Sequence, residues 1–176
     1  MKKRKKISKL RNNRAKKLAR PAVFLDRDGV INKDIGYVFK KKNFIWRKDI
    51  FKFIKKYNKK KYYVFIITNQ SGIGRGYYSE KDLNKLHIWM INKLRAKGCK
   101  INGIYFSPYY KYSKIKKYRT GLRMRKPNIG MILKAKKDFN VNIEKSFLIG
   151  DRVSDKLTAI KSGMKYKILQ FNSKLI

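Results

Sequence analysis

The chain has 176 residues, with 49 Lys and Arg against 10 Asp and Glu, a formal net charge of +39. That length fits one domain with a sizeable core, and a single Cys with a single His excludes an intramolecular disulfide and a tetrahedral Cys/His metal site. A field of this sign attracts polyanions without regard to sequence, but the excess is mostly Lys and spread through the whole chain, so no specific nucleic-acid partner is expected.

Residues 1–20 are dense in Lys and Arg and contain no acid; they read as a solvated basic extension, with the folded domain over 21–176. Nothing in the chain resembles a signal peptide or is apolar for long enough to span a bilayer, so a cytoplasmic protein with no membrane partner is expected.

The first predicted strand, Ala22 to Asp26, runs into Asp26-Arg27-Asp28-Gly29. A short, β-branched apolar run that stops at D-x-D-G delivers two carboxylates to the carboxyl end of a buried strand, where α/β folds place their chemistry. Asp26 is then suited to nucleophilic attack and Asp28 to proton donation, with the Asp28 carbonyl free to face a metal. Paired acids before Gly also occur in turns and Ca²⁺ loops, so the motif needs company.

An amphipathic helix is expected over Asp49 to Asn58, then a second strand, Tyr62 to Ile67, which breaks into Thr68-Asn69-Gln70-Ser71-Gly72-Ile73-Gly74-Arg75-Gly76. A hydroxyl and successive free backbone N–H groups at that strand end can cradle phosphate oxygens, with the glycines permitting close approach. Ser79 to Lys97 reads as a helix opening with a capping box, Ser79-x-x-Asp82, and carrying Leu83, Leu86, Met90 and Leu94 on one stripe. His87 falls beside the stripe and reads as a helix-surface or core-edge residue without partners; Cys99 reads as a reduced thiol in a polar turn.

A third strand, Gly103 to Phe106, precedes Arg125-Lys126-Pro127 and the apolar-periodic segment around Met131. Pro127 suits a helix start, which would put both cations at a helix N-terminus, Lys126 on a transferring phosphoryl group and Arg125 on the rest of an anionic substrate. The fourth strand, Phe147 to Gly150, ends at Asp151, placed to complete a Mg²⁺ site with Asp26 and Asp28; Asp155 either joins it or caps the next helix. A fifth strand is expected over Tyr166 to Phe171. Strands alternating with helices predict a doubly wound, mostly parallel α/β sheet with no large cap domain.

Those four segments in this order resemble the motif set of the haloacid-dehalogenase-like phosphatases, over roughly Pro21 to the C-terminus. The combination F-L-D-R-D-G-V-I-N-K-D-I-G-Y-V, T-N-Q-S-G-I-G-R-G, R-K-P and I-G-D is most similar to the branch that dephosphorylates heptose bisphosphates in lipopolysaccharide-core precursor synthesis, with the histidinol-phosphate phosphatases as relatives. The resemblance implies a monomeric, Mg²⁺-dependent phosphoric monoester hydrolase with a small phosphorylated sugar as substrate. It implies Asp26, Asp28, Thr68 and Lys126 as catalytic residues and Asp26, Asp28 and Asp151 around the metal. Substrate contacts would come from Asp34, Ile35, Gly36, Tyr37, Thr68, Asn69, Gln70, Ser71, Arg125, Lys126 and Arg152. One departure stands out. The branch carries a zinc loop before R-K-P, whereas the corresponding positions here read Ser107, Tyr109, Leu122 and Met124. None is a zinc ligand. Zinc is therefore not expected, and loop 107–124 must be ordered by its aromatic side chains or remain mobile.

Overall fold

The computed structural model describes residues 19–168. The predicted basic extension, apart from its last two residues, and the end of the fifth predicted strand lie outside the described residues. Five strands form one parallel sheet: β1 (Arg20–Leu25), β2 (Tyr63–Asn69), β3 (Gly103–Ser107), β4 (Val141–Gly150) and β5 (Lys165–Ile168), in the spatial order β3-β2-β1-β4-β5. The helices between them are α1 (Ile50–Lys59), the single-turn α2 (Ser71–Gly74), α3 (Glu80–Ala96), α4 (Gly130–Asp138) and α5 (Val153–Lys161).

The alternation of side chains along β1 explains why the sheet is covered on both sides. Val23 and Leu25 join a core with Ile50 and Ile54 of α1 and Leu86, Met90 and Leu94 of α3. Ala22 and Phe24 join a second core with Met131, Ile132 and Ala135 of α4 and Ala159 of α5. Each fully buried Ile, Leu or Phe contributes about 1.5–3 kcal/mol by leaving water, so the two faces together hold the sheet.

The chain order runs outward from β1 to β2 and β3, then returns to β4 on the other side. Between β1 and β4 lies the topological switch point, where a doubly wound sheet opens a crevice at its carboxyl ends. Asp26 and Asp151 follow directly on these two strands, and the Asp26 N–H donates to the Ile149 carbonyl at 2.9 Å.

The predicted elements differ from the observed ones in a few places. Arg20 belongs to the fold: its N–H donates to the Asn140 carbonyl at 3.0 Å and its guanidinium lies 4.3 Å from the centre of the Tyr63 ring. Strand β4 starts at Val141, well before the predicted Phe147, because its first part is polar and irregular. Between Asn142 and Phe147 the strand advances five residues while β1 advances two, from Pro21 to Val23, and Ser146 Oγ accepts from the Ala22 N–H at 2.8 Å across the break. Such a bulge hides a strand from a period-two reading. Helix α4 begins at Gly130, so Pro127 lies before it and Arg125 and Lys126 do not sit at its N-terminus. The capping box of α3 forms as expected, with Ser79 Oγ accepting from the Asp82 N–H at 3.1 Å and Asp82 accepting from the Ser79 N–H at 3.0 Å. Cys99 is 4 % exposed and part of the core, not of a polar turn.

Candidate active site

Four chain segments converge at the carboxyl edge of the sheet. Asp26 is buried; its Oδ1 accepts from the Arg27 N–H at 2.7 Å and its Oδ2 lies 2.9 Å from Lys126 Nζ. Lys126 arrives from the loop before α4, held by Asn69: the Asn69 amide accepts from the Lys126 N–H at 3.0 Å and donates to its carbonyl at 3.1 Å. With its backbone pinned, Lys126 is buried and its Nζ reaches Asp26, Asp155 Oδ1 at 2.5 Å and the Ile67 carbonyl at 3.2 Å.

Asp26, Asp151 and Asp155 each offer a carboxylate oxygen within 4.8 Å of the others. Asp151 Oδ1 is buried without a hydrogen-bond partner, and it packs so tightly under Gly29 that a Cβ there would lie 2.0 Å from Asp151 Oδ2. Three carboxylates beside one ammonium leave two negative charges, matching one divalent cation with oxygen ligands. The donor set therefore fits Mg²⁺. Burial pushes the Asp26 carboxyl up to about 7, opposed by Lys126 and reinforced by Asp155. Burial likewise raises Asp151, with Asp155 adding to it. Lys126 goes up despite its burial, because Asp26 and Asp155 hold it charged. Of the two roles that the sequence left open for Asp155, the structure shows the cap: its Oδ2 accepts from the Arg152 N–H at 3.1 Å, while its Oδ1 meets Lys126.

Asp28 stands apart from this cluster. Its carboxylate accepts from Arg27 Nη2 at 3.0 and 2.9 Å, from Asn32 Nδ2 at 2.9 Å and from Gln70 Nε2 at 2.9 Å. Gln70 also donates to Thr68 Oγ1 at 2.8 Å and accepts from the Tyr78 hydroxyl at 2.6 Å.

A cleft of about 330 Å³, within the range of small-ligand sites, is lined by Asp26, Asp28, Asp34, Gly36, Tyr37, Thr68, Asn69, Gln70, Ser71, Arg125, Lys126 and Arg152, together with Tyr78 and Ser154. All but one of the predicted substrate residues thus meet in one place. The exception is Ile35, whose side chain is exposed and does not line the cleft. Arg152 pairs with Asp34, and that bond with the Gly36 N–H at 3.0 Å holds the Asp34 carboxyl below its usual range against the opposing effect of burial. Burial lowers Arg125, and the neighbouring Arg75 and Arg152 lower it further.

The expected cradle of free amides is smaller than predicted. The Gln70 N–H is taken by the Ser107 carbonyl at 2.7 Å, and Gly72 and Gly74 approach protein, not ligand: a Cβ at Gly72 would lie 2.2 Å from the Tyr78 ring and one at Gly74 2.7 Å from the Pro108 carbonyl. Arg27, Tyr78 and Ser154 carried no signal in the sequence reading. Arg27 could have been flagged as a cation between two acids inside the strand-end motif.

Loop 107–124 is held by hydrogen bonds and ring contacts. The Tyr110 N–H donates to the Tyr118 carbonyl at 2.9 Å, Arg119 Nε to the Ser113 carbonyl at 2.7 Å, and the Tyr118 hydroxyl to Glu80 Oε1 at 2.6 Å. Tyr118 is buried beside Tyr109, and the Arg75 guanidinium stacks 3.8 Å from the centre of the Tyr110 ring. Tyr112 is exposed and meets only the outer side of this packing, edge-on to the Tyr110 ring at a 5.7 Å centroid distance. The loop ends on Arg125, whose Nη1 donates to the Tyr109 carbonyl at 3.3 Å. Replacing Tyr118 by Phe is expected to cost about 1 kcal/mol, as for one lost hydrogen bond, and to raise KM more than it lowers kcat because the loop carries Arg125. Thermal unfolding and steady-state kinetics check this, and an unchanged KM would contradict it.

The model for polynucleotide kinase 3 phosphatase matches residues 22–171. The chain belongs to this family of haloacid-dehalogenase-like phosphatases. D-glycero-alpha-D-manno-heptose-1,7-bisphosphate 7-phosphatase of Burkholderia mallei is 46% identical over 134 residues, covering 76% of this chain and 71% of that protein. D-glycero-beta-D-manno-heptose-1,7-bisphosphate 7-phosphatase of Rhodopseudomonas palustris is 43% identical over 145 residues, covering 82% and 81%. Among solved structures, the D,D-heptose 1.7-bisphosphate phosphatase from B. bronchiseptica, complexed with magnesium and phosphate, superposes with a TM-score of 0.75 at 26% identity, over 84% of this chain and 79% of that one. The phosphatase thus shares both sequence and fold with enzymes of one named activity, and its sheet, with Asp26 and Asp151 at the switch point, is the fold expected of the family.

Proposed function

We propose that this phosphatase removes the 7-phosphate of D-glycero-D-manno-heptose 1,7-bisphosphate through an aspartyl-phosphate on Asp26. The observation that carries the reading is the buried contact between Asp26 and Lys126, set beside two further carboxylates at a cleft that also holds Arg125 and Arg152. Phosphoryl transfer needs positioning and charge neutralisation more than covalent chemistry from the protein. An Asp26 oxygen bonds to phosphorus as the bond from phosphorus to the sugar oxygen breaks, and Asp28 gives its proton to that departing oxygen. Asp28 then takes a proton from water, whose oxygen displaces Asp26 from phosphorus. Lys126 and the Thr68 hydroxyl stabilise the transferring group, and Arg125 with Arg152 holds the distal part of the anion. Asp26, Asp151 and the Asp28 carbonyl would hold Mg²⁺, which when bound supplies further charge neutralisation at the phosphoryl oxygens.

Arg125 in the cleft lining favours a substrate with a second phosphate over histidinol phosphate, which carries an amine in its place. The test is a panel of phosphorylated sugars and histidinol phosphate assayed with Mg²⁺, with products followed by ³¹P NMR. Loss of the C7 phosphate with the anomeric phosphate retained is expected, and preferential hydrolysis of histidinol phosphate would replace this reading. EDTA is expected to abolish turnover and added Mg²⁺ to restore it; activity indifferent to EDTA would count against the metal site. The reading includes a monomer acting in the cytoplasm, and no helix among the described residues is long and apolar enough to cross a membrane. It takes the +39 charge as incidental, so nucleic-acid binding should be weak and fall steeply between low and physiological salt. Tight, salt-resistant binding without turnover on any phosphorylated metabolite would point instead to a basic binding protein built on this fold.

A further inference from the structure

Arg27 is the largest fully buried side chain of the described residues, and its guanidinium spreads over four partners. Nη2 reaches both oxygens of Asp28, the Val38 carbonyl at 2.6 Å and Gln70 Oε1 at 3.3 Å, while Nε lies 3.3 Å from Asp28 Oδ1. Nη1 points the other way, to His87 Nε2 at 3.2 Å. His87 comes from the core side of α3, is 6 % exposed, and touches the Phe106 ring at a 6.1 Å centroid distance. It does not line the cleft.

An Arg has donors only, so His87 Nε2 must be the acceptor in this bond, which requires a neutral ring with its proton on Nδ1. Burial and the adjacent guanidinium depress the His87 pKa to about 3, which keeps that form throughout the neutral range. A buried N–H of a charged group left without an acceptor is costly, so the guanidinium would turn or admit water if His87 were removed. Either movement changes the contacts that set the direction of the Asp28 carboxylate.

We propose that His87 is a positioning residue for the reaction, acting through Arg27 to hold Asp28 in the direction from which it passes its proton to the leaving oxygen. The inference rests on Asp28 being the proton donor. A role in aiming a general acid has a signature that a role in folding lacks. A sugar alkoxide leaves poorly and needs its proton, whereas p-nitrophenolate leaves without one, so mis-aiming the acid slows the first substrate and spares the second.

The experiment compares kcat on a sugar phosphate that the wild type hydrolyses with kcat on p-nitrophenyl phosphate, for His87→Leu and His87→Gln, with thermal unfolding in parallel. Gln can place an amide oxygen near the Nε2 position; Leu fills the space without an acceptor. His87→Leu is expected to lower kcat on the sugar phosphate by about tenfold or more, a fraction of the ~10²–10⁴-fold that general acids contribute. Its kcat on p-nitrophenyl phosphate should stay within about threefold, and His87→Gln should recover most of the difference. If His87→Leu does not fold, His87→Asn, polar but too short to reach Arg27, is read by the same ratio. Equal losses on both substrates, or no loss on either, would overturn the proposal while leaving the phosphatase reading intact. A wild type that hydrolyses neither substrate would remove that reading, and this inference with it.

Discussion

Asp26→Asn is expected to abolish turnover, by several orders of magnitude, while leaving the fold in place. The amide keeps the shape of the side chain and can still accept from the Arg27 N–H, but it has no charge with which to attack phosphorus. Its effect on stability has a defined sign. The carboxyl sits at about 7 in the folded protein against 3.8 for an exposed Asp, chiefly because of burial. A carboxyl raised by folding favours the folded state fully below its unfolded value, and that contribution is lost as pH rises through the folded value. Between pH 4 and 7 the wild type without Mg²⁺ should therefore lose stability that the Asn variant keeps. At pH 8 without metal, the variant should melt at or above the wild-type temperature, and Mg²⁺ should raise the melting temperature of the wild type more. Calorimetry at pH 5 and pH 8, with and without Mg²⁺, checks the sign, and phosphate release checks the chemistry. Near-normal turnover in Asp26→Asn would falsify the aspartyl-phosphate mechanism.

The second large effect is expected at Lys126. Its ammonium stands between Asp26 and Asp155 and also bonds the Ile67 carbonyl, in a site where Lys126 is 3 % exposed. Lys126→Met preserves much of the volume but leaves two buried carboxylates facing each other without a cation. Breaking a buried ion pair from one side costs about 3–5 kcal/mol, and losing a positive group from the phosphoryl site costs on the order of 10²–10³ in kcat. Both losses should appear together. Mg²⁺ should stabilise the variant more than the wild type, because the metal then supplies charge that Lys126 no longer provides. Lys126→Arg should not rescue, since a planar guanidinium does not fit a space shaped for one ammonium. A variant with wild-type melting temperature and turnover would show that the pair in the structure carries neither function.

What could be read in the sequence follows from local rules. Strand β1 was legible because a short apolar run ending at an acid and Gly has few alternatives, and α3 because its capping box and its Leu83, Leu86, Met90 and Leu94 stripe agree. The convergence of Asp26, Thr68, Lys126 and Asp151 followed from the rule that an α/β sheet gathers its strand ends, and the structure brings all four to one edge. The start of β4 was not legible, because its bulge interrupts the alternation that marks a strand.

The helix position of Arg125 and Lys126 was misread, since Pro127 announces a turn as readily as a helix start. In the fold, Lys126 is placed by Asn69 across 57 residues of chain, a side-chain pairing no local pattern reports. His87 shows the same limit more sharply. Along the sequence it is a lone residue at the edge of an apolar stripe, and nothing near it supplies the partners that a ligand or base would need. Only the packing of α3 against the end of β1 brings it to Arg27, and only there does its ring nitrogen acquire a use. Strand period, helix period, caps and the chemistry of residue types are properties of neighbours in sequence, and they determined the elements and the ends of the sheet where the chemistry lies. Which buried cation meets which acid depends on contacts between elements far apart in the chain, and these the tertiary structure alone decided.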